Sequence, residues 1–394
     1  MNTNPRRHLP RGRRRRSGAV AGVALAAVAL LVGPAISASA VAVAHGYRIE
    51  VTPNRGPTAD NYFNGVACTA MSCFAVGWGG IGGVERTLIE QRRPHGWAVL
   101  ASPNVGTMNN LLASVSCASP TMCMTVGRYT SPAGQVALIE RWNGTSWSRM
   151  AVPGASVHDN ELFAVSCPAV NFCVAVGQQM DPSRTLVEVW HGGAWSIAAS
   201  PNAGPGDNYL ESVACPSVHE CFAVGFAYVG STGTSLVLAW HGGGWSVSPS
   251  PNHGTQGSYL YGVACPTATS CKSVGVYAAG SLERDLIESW NGHVWTVSPA
   301  PNATATTTNA LSAVSCPTAT TCEAVGDFHS GGWHNLVVVW HGHGWAVEAV
   351  PSMPKGDSDL ASISCPMPTA CTSAGEFQYT APPNLGRTYV LVGS

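Results

Sequence analysis

The residues best suited to chemistry in this 394-residue chain are its fourteen cysteines, which fall into seven short pairs. Members of a pair are five or six positions apart, and a tight loop of that length brings two sulfurs within bridging distance. Seven disulfides are therefore the first interpretation, and zinc binding by paired cysteines is the alternative. The predicted pairs are Cys68/Cys73, Cys117/Cys123, Cys167/Cys173, Cys215/Cys221, Cys265/Cys271, Cys316/Cys322 and Cys365/Cys371.

A repeat of about fifty residues positions the cysteines, since the first members of successive pairs are 49, 50, 48, 50, 51 and 49 residues apart. Each pair is followed by a hairpin sequence, in most units Trp-[Asn/His]-Gly-x-x-Trp, and then usually by Pro-Asn. One unit contains four short apolar runs, as in 111–117, 123–127, 136–142 and 147–152. Four strands per unit and seven units predict an all-β, seven-bladed β-propeller with four antiparallel strands per blade.

The two ends of the chain predict that the ring is closed by the N-terminal strand. The seventh unit has only one strand after its cysteines, over 387–392. The missing fourth strand lies at 45–54, where Tyr47 stands in the place of the hairpin tryptophan and Pro53-Asn54 completes the pattern. We therefore predict a single propeller domain over 45–394.

Chain symmetry separates structural from functional residues, because side chains repeated at equivalent positions are spread around a ring and do not converge on one substrate. On this argument the repeated acids and arginines are structural, the repeated histidines are turn residues, and the asparagines that open each unit cap turns. The tryptophan pairs are expected to pack between blades, with aromatic lectin sites as the alternative. The acids and arginines are Glu90, Glu140, Glu188, Glu288, Arg86, Arg184, Arg284 and Arg387.

Function is expected in the loops that vary, which join strand two to strand three and one blade to the next. Aromatic, amide and charged side chains on a rigid scaffold suit recognition of a sugar or a peptide. The candidate contacts are Trp78, Arg128, Tyr129, Gln178, Phe226, Trp333 and Tyr379. Asp327, Glu376 and His329 are the candidates for acid–base groups if the protein acts on glycans.

The N-terminal segment indicates export. Seven arginines precede position 17, an apolar stretch follows, and small-residue A-x-A patterns occur near 38–44, which together predict a secretory signal peptide over 1–44. An uncleaved membrane anchor is the alternative. The remaining chain carries 13 basic and 21 acidic residues, so a nucleic acid is not expected as a partner. We expect a secreted monomer with no cofactor, no bound metal and no membrane span after cleavage.

The chain resembles the secreted actinobacterial propeller proteins with Cys-x5-Cys and Trp-x4-Trp repeats, over about residues 46–394. Closure by a terminal strand is similar to that of WD-repeat propellers. The hairpin also lies where sialidase-like propellers carry their Asp box, although the Ser-x-Asp-x-Gly pattern is absent here. The resemblance implies a propeller of the cell surface or the medium.

Three functions remain open from the sequence. The favoured interpretation is a non-catalytic binding protein that recognises a glycan or a protein through its variable loops. A glycan-active hydrolase or lyase is the second, and a structural protein of the cell envelope is the third.

Overall fold

The computed structural model describes residues 46–56, 59–153, 159–180, 183–254, 256–351, 353, 356–379 and 385–393. The predicted signal peptide over 1–44 lies outside these residues, so its cleavage and the anchor alternative stay predictions. The described residues contain 28 β-strands and no helix. Accordingly, no helix in this part of the chain is long and apolar enough to cross a membrane.

The strands form seven sheets of four, which confirms the predicted seven-bladed propeller. Blade 1 contains β2 (Asn61–Cys68), β3 (Cys73–Ile81), β4 (Val84–Arg93) and β5 (Gly96–Leu100); blade 2 contains β6 (Asn110–Ser119), β7 (Met122–Ser131), β8 (Gly134–Trp142) and β9 (Trp147–Arg149); blade 3 contains β10 (Asn160–Ala169), β11 (Phe172–Gln179), β12 (Arg184–Trp190) and β13 (Trp195–Ala198). Blade 4 contains β14 (Asn208–Ser217), β15 (Glu220–Val229), β16 (Thr232–Trp240) and β17 (Trp245–Val247); blade 5 contains β18 (Ser258–Thr267), β19 (Ser270–Ala279), β20 (Leu282–Trp290) and β21 (Trp295–Ser298). Blade 6 contains β22 (Asn309–Thr318), β23 (Thr321–His329), β24 (Trp333–Trp340) and β25 (Trp345–Val347); blade 7 contains β26 (Gly356–Met367), β27 (Ala370–Tyr379), β28 (Gly386–Gly393) and β1 (Arg48–Val51).

The first strand of each blade is the innermost, and it contains a β-bulge at the same place in every blade. In blade 1 the pairing of β2 with β3 slips between Phe63 and Gly65, so the intervening residue is extra. The opposing Gly77 has no room for a side chain, because a Cβ there would lie 1.9 Å from the carbonyl oxygen of Tyr62. The glycine that recurs in strand two of every unit is therefore a steric requirement of the bulge.

Ring closure follows the predicted pattern. β1 pairs antiparallel with β28, with Arg48 opposite Val392 and Val51 opposite Tyr389. The innermost strands of blades 7 and 1 are also joined, since the hydroxyl oxygen of Ser362 accepts a hydrogen bond from the backbone N–H of Val66 at 3.1 Å. The same bond joins blades 2 and 3 and blades 4 and 5, and serines two positions later along the strand join blades 3 and 4 and blades 6 and 7.

The tryptophan pairs pack between blades, as predicted. In blade 2, Trp142 and Trp147 contact Phe74 of blade 1, with ring centroids 5.2 and 5.3 Å apart. In blade 5, Trp290 and Trp295 contact Phe222 of blade 4 in the same way. Because each hydrophobic cluster is shared by two blades, burial of apolar surface stabilises the ring as a whole.

All seven predicted disulfides are present, with Cα–Cα distances of 4.0 to 4.1 Å. Among the described residues no cysteine is free. One group of potential metal ligands occurs there, formed by Glu323, Cys365 and Cys371. Its two sulfurs are bonded to each other, so it is not a thiolate metal site. Seven disulfides indicate an oxidising compartment.

The second cysteine of blades 2 to 6 is a core residue, although the sequence analysis treated it only as the end of a loop. Each of these cysteines pairs in register with the first hairpin tryptophan of its blade and belongs to a hydrophobic cluster. At most 1% of each residue is exposed, so these sulfurs are inaccessible to a ligand or a metal ion, and they are Cys123, Cys173, Cys221, Cys271 and Cys322. Their bridges therefore connect the cysteine loops to the packing between blades.

We expect the double substitution Cys215→Ser/Cys221→Ser to lower the free energy of unfolding by about 2 kcal/mol. The disulfide that is lost closes a small loop in the wild type and thereby restricts the unfolded chain. Thermal and urea unfolding of the wild type and the variant measures this. An unchanged midpoint in both experiments would show that the bridge does not constrain the unfolded chain. Blade 4 suits the test because Cys221 is fully buried against its neighbour.

Candidate functional site

The two ends of the propeller differ in what they carry. One end carries the cysteine loops and the hairpins between strands three and four, and we call it the cysteine face. The other end carries the turns between strands two and three and the loops between blades, and we call it the variable face. The alternation of antiparallel strands fixes this division.

Repeated side chains hold the loops of the variable face in place. The oxygen of Asn110 accepts a hydrogen bond from the N–H of Val105, while its amide donates to the carbonyl of Met108. Asn61, Asn208 and Asn309 form the same cap, and Ser258 forms a shorter version. These bonds agree with the turn-capping interpretation of the sequence.

The repeated arginines also hold loops. The guanidinium of Arg86 donates to the carbonyls of Gly106, Thr107 and Met108 in the loop between blades 1 and 2. Arg284 and Arg387 bind the corresponding loops after blades 5 and 7. Their role is structural in each of these three blades, as the symmetry argument predicts.

The repeated glutamates lie in the interior, and all four are fully buried. Burial raises the pKa of Glu90 to about 9 and that of Glu188 to about 8, and in each case neither carboxylate oxygen has a hydrogen-bond partner among the described residues. Burial also raises the pKa of Glu140 to about 8 and that of Glu288 to about 7, although serine hydroxyls of the preceding blade donate to both. These acids therefore keep their protons in the folded protein at neutral pH or close to it.

Two predicted contacts, Trp78 and Phe226, are almost completely buried on the variable side of their blades. Trp78 is 5% exposed and stacks on Tyr62 with a centroid distance of 4.3 Å, next to Leu111 of blade 2. Phe226 is also 5% exposed and stacks on Tyr209 at 4.8 Å. Both rings pack against strand residues of their own blade and of the next blade.

Arg128 and Gln178 share a carboxylate. Arg128 forms an ion pair with Glu161 of the next blade at 3.2 Å, and the amide of Gln178 donates to the same carboxylate at 3.3 Å. The side chains of Arg128 and Glu161 are only 14% and 8% exposed. The three residues form a polar bridge between blades 2 and 3.

The remaining predicted contacts lie nearer the surface. Tyr129 is half-buried beneath the guanidinium of Arg149, whose carbon is 5.4 Å from the ring centroid. Trp333 is half-buried against His329 at 5.1 Å. Tyr379 pairs with Gly356 through its backbone, and its side chain lies outside the description.

The acid–base candidates lie in blades 6 and 7, where Asp327 and Glu376 occupy equivalent register positions and His329 lies two residues after Asp327, opposite Trp333. Asp327 pairs with Asn335 and is 4% exposed, whereas Glu376 pairs with Thr388 and is half-buried. The neighbouring Asp285 is 2% exposed, and burial followed by the charge of Asp327 raises its pKa well above the usual value. The sequence analysis did not single out Asp285.

A group of aromatic rings in blades 4 and 5, here called the tyrosine patch, consists of Tyr209, Phe226, Tyr228 and Tyr259. Phe226 contacts Tyr228 at 5.8 Å and Tyr259 at 5.1 Å, and Tyr228 contacts Tyr259 at 6.5 Å. Tyr209 and Phe226 form the buried base, whereas Tyr228 and Tyr259 are partly exposed at the variable face. Of these residues, the sequence analysis identified Phe226 alone.

Tyr259 reaches this position because the facing residue of blade 4 is a glycine. A Cβ at Gly233 would lie 2.3 Å from the Tyr259 ring. Burial, followed by the neighbouring Tyr259, raises the pKa of Tyr228. A tyrosine hydroxyl both donates and accepts hydrogen bonds at neutral pH. The patch thus combines ring surface with hydroxyl groups.

The central channel is lined by the bulge residues, each four positions before the first cysteine of its unit. They enclose part of a cavity of about 180 Å³, and they are Asn64, Ala113, Phe163, Glu211, Tyr261, Ser312 and Ala361. Large side chains occur in blades 3 to 5 and small ones in blades 2, 6 and 7. These residues were not predicted as a group, although their variation at a fixed offset from the first cysteine is visible in the sequence.

Comparisons with known proteins identify the fold. No protein-family model and no curated protein matches the chain. Among solved structures, YCF48 bound to a D1 peptide superposes with a TM-score of 0.54 at 13% identity, covering 88% of this chain and 96% of that one. A GH74 xyloglucanase from Xanthomonas campestris gives 0.55 at 12% identity, covering 87% of this chain and 55% of the enzyme.

A third similar structure is a PL25 ulvan lyase bound to a glucuronate–rhamnose sulfate ligand, with a TM-score of 0.54 at 8% identity and coverage of 88% and 93%. All three identities are low, so the similarity concerns the fold alone. Because one neighbour binds a peptide and two act on polysaccharides, the fold does not select a function.

The buried glutamates predict that stability falls as the pH rises. The unfolded chain releases these protons near the ordinary glutamate pKa, whereas the folded protein holds them up to about pH 7 to 9. The unfolding free energy should therefore decrease from about pH 5 to about pH 9. Melting temperatures measured across this range test the expectation.

In the double variant Glu90→Gln/Glu188→Gln the decrease should be shallower, because neutral amides replace the two carboxyls that have no hydrogen-bond partner. Glu85→Gln, a half-buried acid on the same strand as Glu90, is the matched control and should keep the wild-type slope. A double variant with the wild-type slope would contradict the assignment.

Proposed function

We propose that this protein is a secreted, non-catalytic binding propeller that recognises a glycan through the tyrosine patch of its variable face. The observation that carries the proposal is the partly exposed pair Tyr228 and Tyr259, which rests on the buried rings of Tyr209 and Phe226. The patch breaks the symmetry of the ring, as a specific binding site must. Aromatic faces with hydroxyl groups at their edges contact the apolar and polar sides of a sugar together.

Rigidity supports this proposal. β15, which presents Tyr228, is a central strand of its sheet, and β18, which presents Tyr259, is hydrogen-bonded to Ser212 of blade 4. The loops around them are capped by Asn208 and Ser258. A pre-ordered aromatic surface loses little conformational entropy when it binds a ligand.

The second candidate is a glycan-active enzyme that uses Asp327 and Glu376. The two acids occupy equivalent positions of adjacent blades, which favours the enzyme because a pair of carboxyl groups is needed. The low exposure of Asp327 favours the binding protein, because a buried carboxyl group has little access to a substrate. The third candidate, a structural envelope protein, would require no ligand at all.

We expect the purified protein to bind members of a glycan array that includes peptidoglycan fragments, with affinity confirmed by calorimetry. The variants Tyr228→Ala and Tyr259→Ala should each lose at least about tenfold in affinity, because both remove partly exposed ring surface. Trp345→Phe is the control on the cysteine face and should bind as the wild type does. The substitution keeps an aromatic side chain and removes an indole N–H that has no hydrogen-bond partner among the described residues.

Three results would contradict the proposal. Binding that survives both tyrosine substitutions would place the site elsewhere. An array without any bound glycan would favour the structural protein. Turnover of a fluorogenic glycoside that disappears in Asp327→Asn or Glu376→Gln would favour the enzyme.

A further inference from the structure

Blades 7 and 1 depart from the repeat at three places on the cysteine face, all on the same seam. The residue opposite the second cysteine is tryptophan in blades 2 to 6. In blade 7 that residue is Gly393, and in blade 1 the partner of Trp97 is Arg92. The cysteine loop of blade 1 is also one residue shorter than the others.

In blades 2 and 5 the first hairpin tryptophan contacts both its own cysteine loop and the preceding blade. The indole N–H of Trp142 donates to the carbonyl of Pro120 in its own cysteine loop at 3.2 Å, while its ring contacts Phe74 of the preceding blade. Trp290 does the same with Ala268 and Phe222. Without this ring, the seam of blades 7 and 1 contains a cavity of about 580 Å³, here called the seam pocket.

Charge distinguishes the seam pocket from the rest of the molecule. Arg48, Arg92 and Arg93 line it together with one acid, Glu50. Three of the thirteen basic residues that follow position 44 are therefore in one pocket of a domain with a large acidic excess. The three arginines and Glu50 together give the seam pocket a net charge of +2.

Glu50 positions two of the arginines. One carboxylate oxygen accepts hydrogen bonds from Arg48 at 2.6 Å and Arg92 at 3.0 Å, and the other accepts one from the indole of Trp97 at 3.1 Å. Although partial burial raises the pKa of Glu50, the bond from Trp97 and the two guanidinium groups hold it below its usual value. Arg92 is thus held in place and still 35% exposed.

Arg93 is the third arginine of the seam pocket, and Glu50 does not bind it. It is exposed, and within the described residues its side chain makes no hydrogen bond or ion pair. Thr69 and Ser72 also line the seam pocket, as do Met71 and Met367, which are 81% and 50% exposed.

We propose that the seam pocket binds an acidic peptide segment of a protein partner, with carboxylates on Arg92 and Arg93 and apolar side chains on Met71 and Met367. Guanidinium groups bind carboxylates through paired, charge-assisted hydrogen bonds. Exposed methionines adapt to apolar side chains of different shape. The volume suits a few residues of peptide. The pocket lies on the cysteine face, so it is independent of the tyrosine patch.

The test is selection from a random heptapeptide library displayed on phage, using the full chain as bait and measuring the enriched peptides by fluorescence polarisation. We expect enrichment of Asp or Glu next to aliphatic residues. Arg92→Trp, which restores the residue of five other blades, and Arg93→Gln should each weaken binding by about tenfold or more. Arg149→Gln removes an exposed positive charge from blade 2 and should leave binding unchanged.

Other outcomes would overturn the proposal. Peptides without acidic residues, or equal binding by Arg92→Trp with an unchanged melting temperature, would exclude the seam pocket as an acidic-peptide site. Exclusive binding of uronic or sulfated oligosaccharides that is lost in Arg92→Trp would assign the pocket to a glycan instead. Tyr259→Ala should retain peptide binding, so failure of the glycan proposal and failure of this one are distinguishable.

Discussion

The close approach of a strand-two glycine to the bulge of the innermost strand is the contact on which this ring depends. At Gly77 the space left for a Cβ is occupied by the carbonyl of Tyr62, and the same holds in the other six blades. The bulge bends each innermost strand and leaves one residue unpaired. Those unpaired residues line the channel, and the serines that follow the bulge bind the next blade. Larger residues at these glycines would disturb the channel and the blade contacts together.

The distribution of side chains shows how a symmetric scaffold acquires distinct surfaces. Residues that have a structural role recur from blade to blade, and they include the strand-two glycines, the capping asparagines and the buried glutamates. The tyrosine patch arises from Tyr228, whose position is not a tyrosine in any other blade, and from Tyr259, which has space at Gly233. The seam pocket arises where the repeat is broken by Arg92 and Gly393. A break in the repeat matters because it removes a side chain that fills space in the other blades or adds one that reaches the surface.

The fold was largely predictable from the sequence, and the binding surfaces were not. Spacing of the cysteines and the displaced Tyr47 strand sufficed for seven blades and for closure, because both are properties of chain order. In contrast, Trp78 and Phe226 were predicted contacts that the structure buries against strands of their own and the adjacent blade. The local sequence around an aromatic residue at the end of a strand is the same whether its side chain is buried or exposed. Its exposure therefore becomes known only when the positions of the adjacent blades are known.

The sequence by itself determined the architecture, the disulfide pairing and the division into a repeated and a variable face, since these follow from period, spacing and strand alternation. Only the tertiary structure decided which departures from the repeat meet in space. Closure makes blades 7 and 1 adjacent, but only the structure shows that Arg48, Arg92 and Arg93 line one pocket at their seam. Likewise, Tyr259 reaches the rings of blade 4 because Gly233 leaves room for it. Convergence of this kind depends on distances between blades, which the order of residues along the chain does not contain.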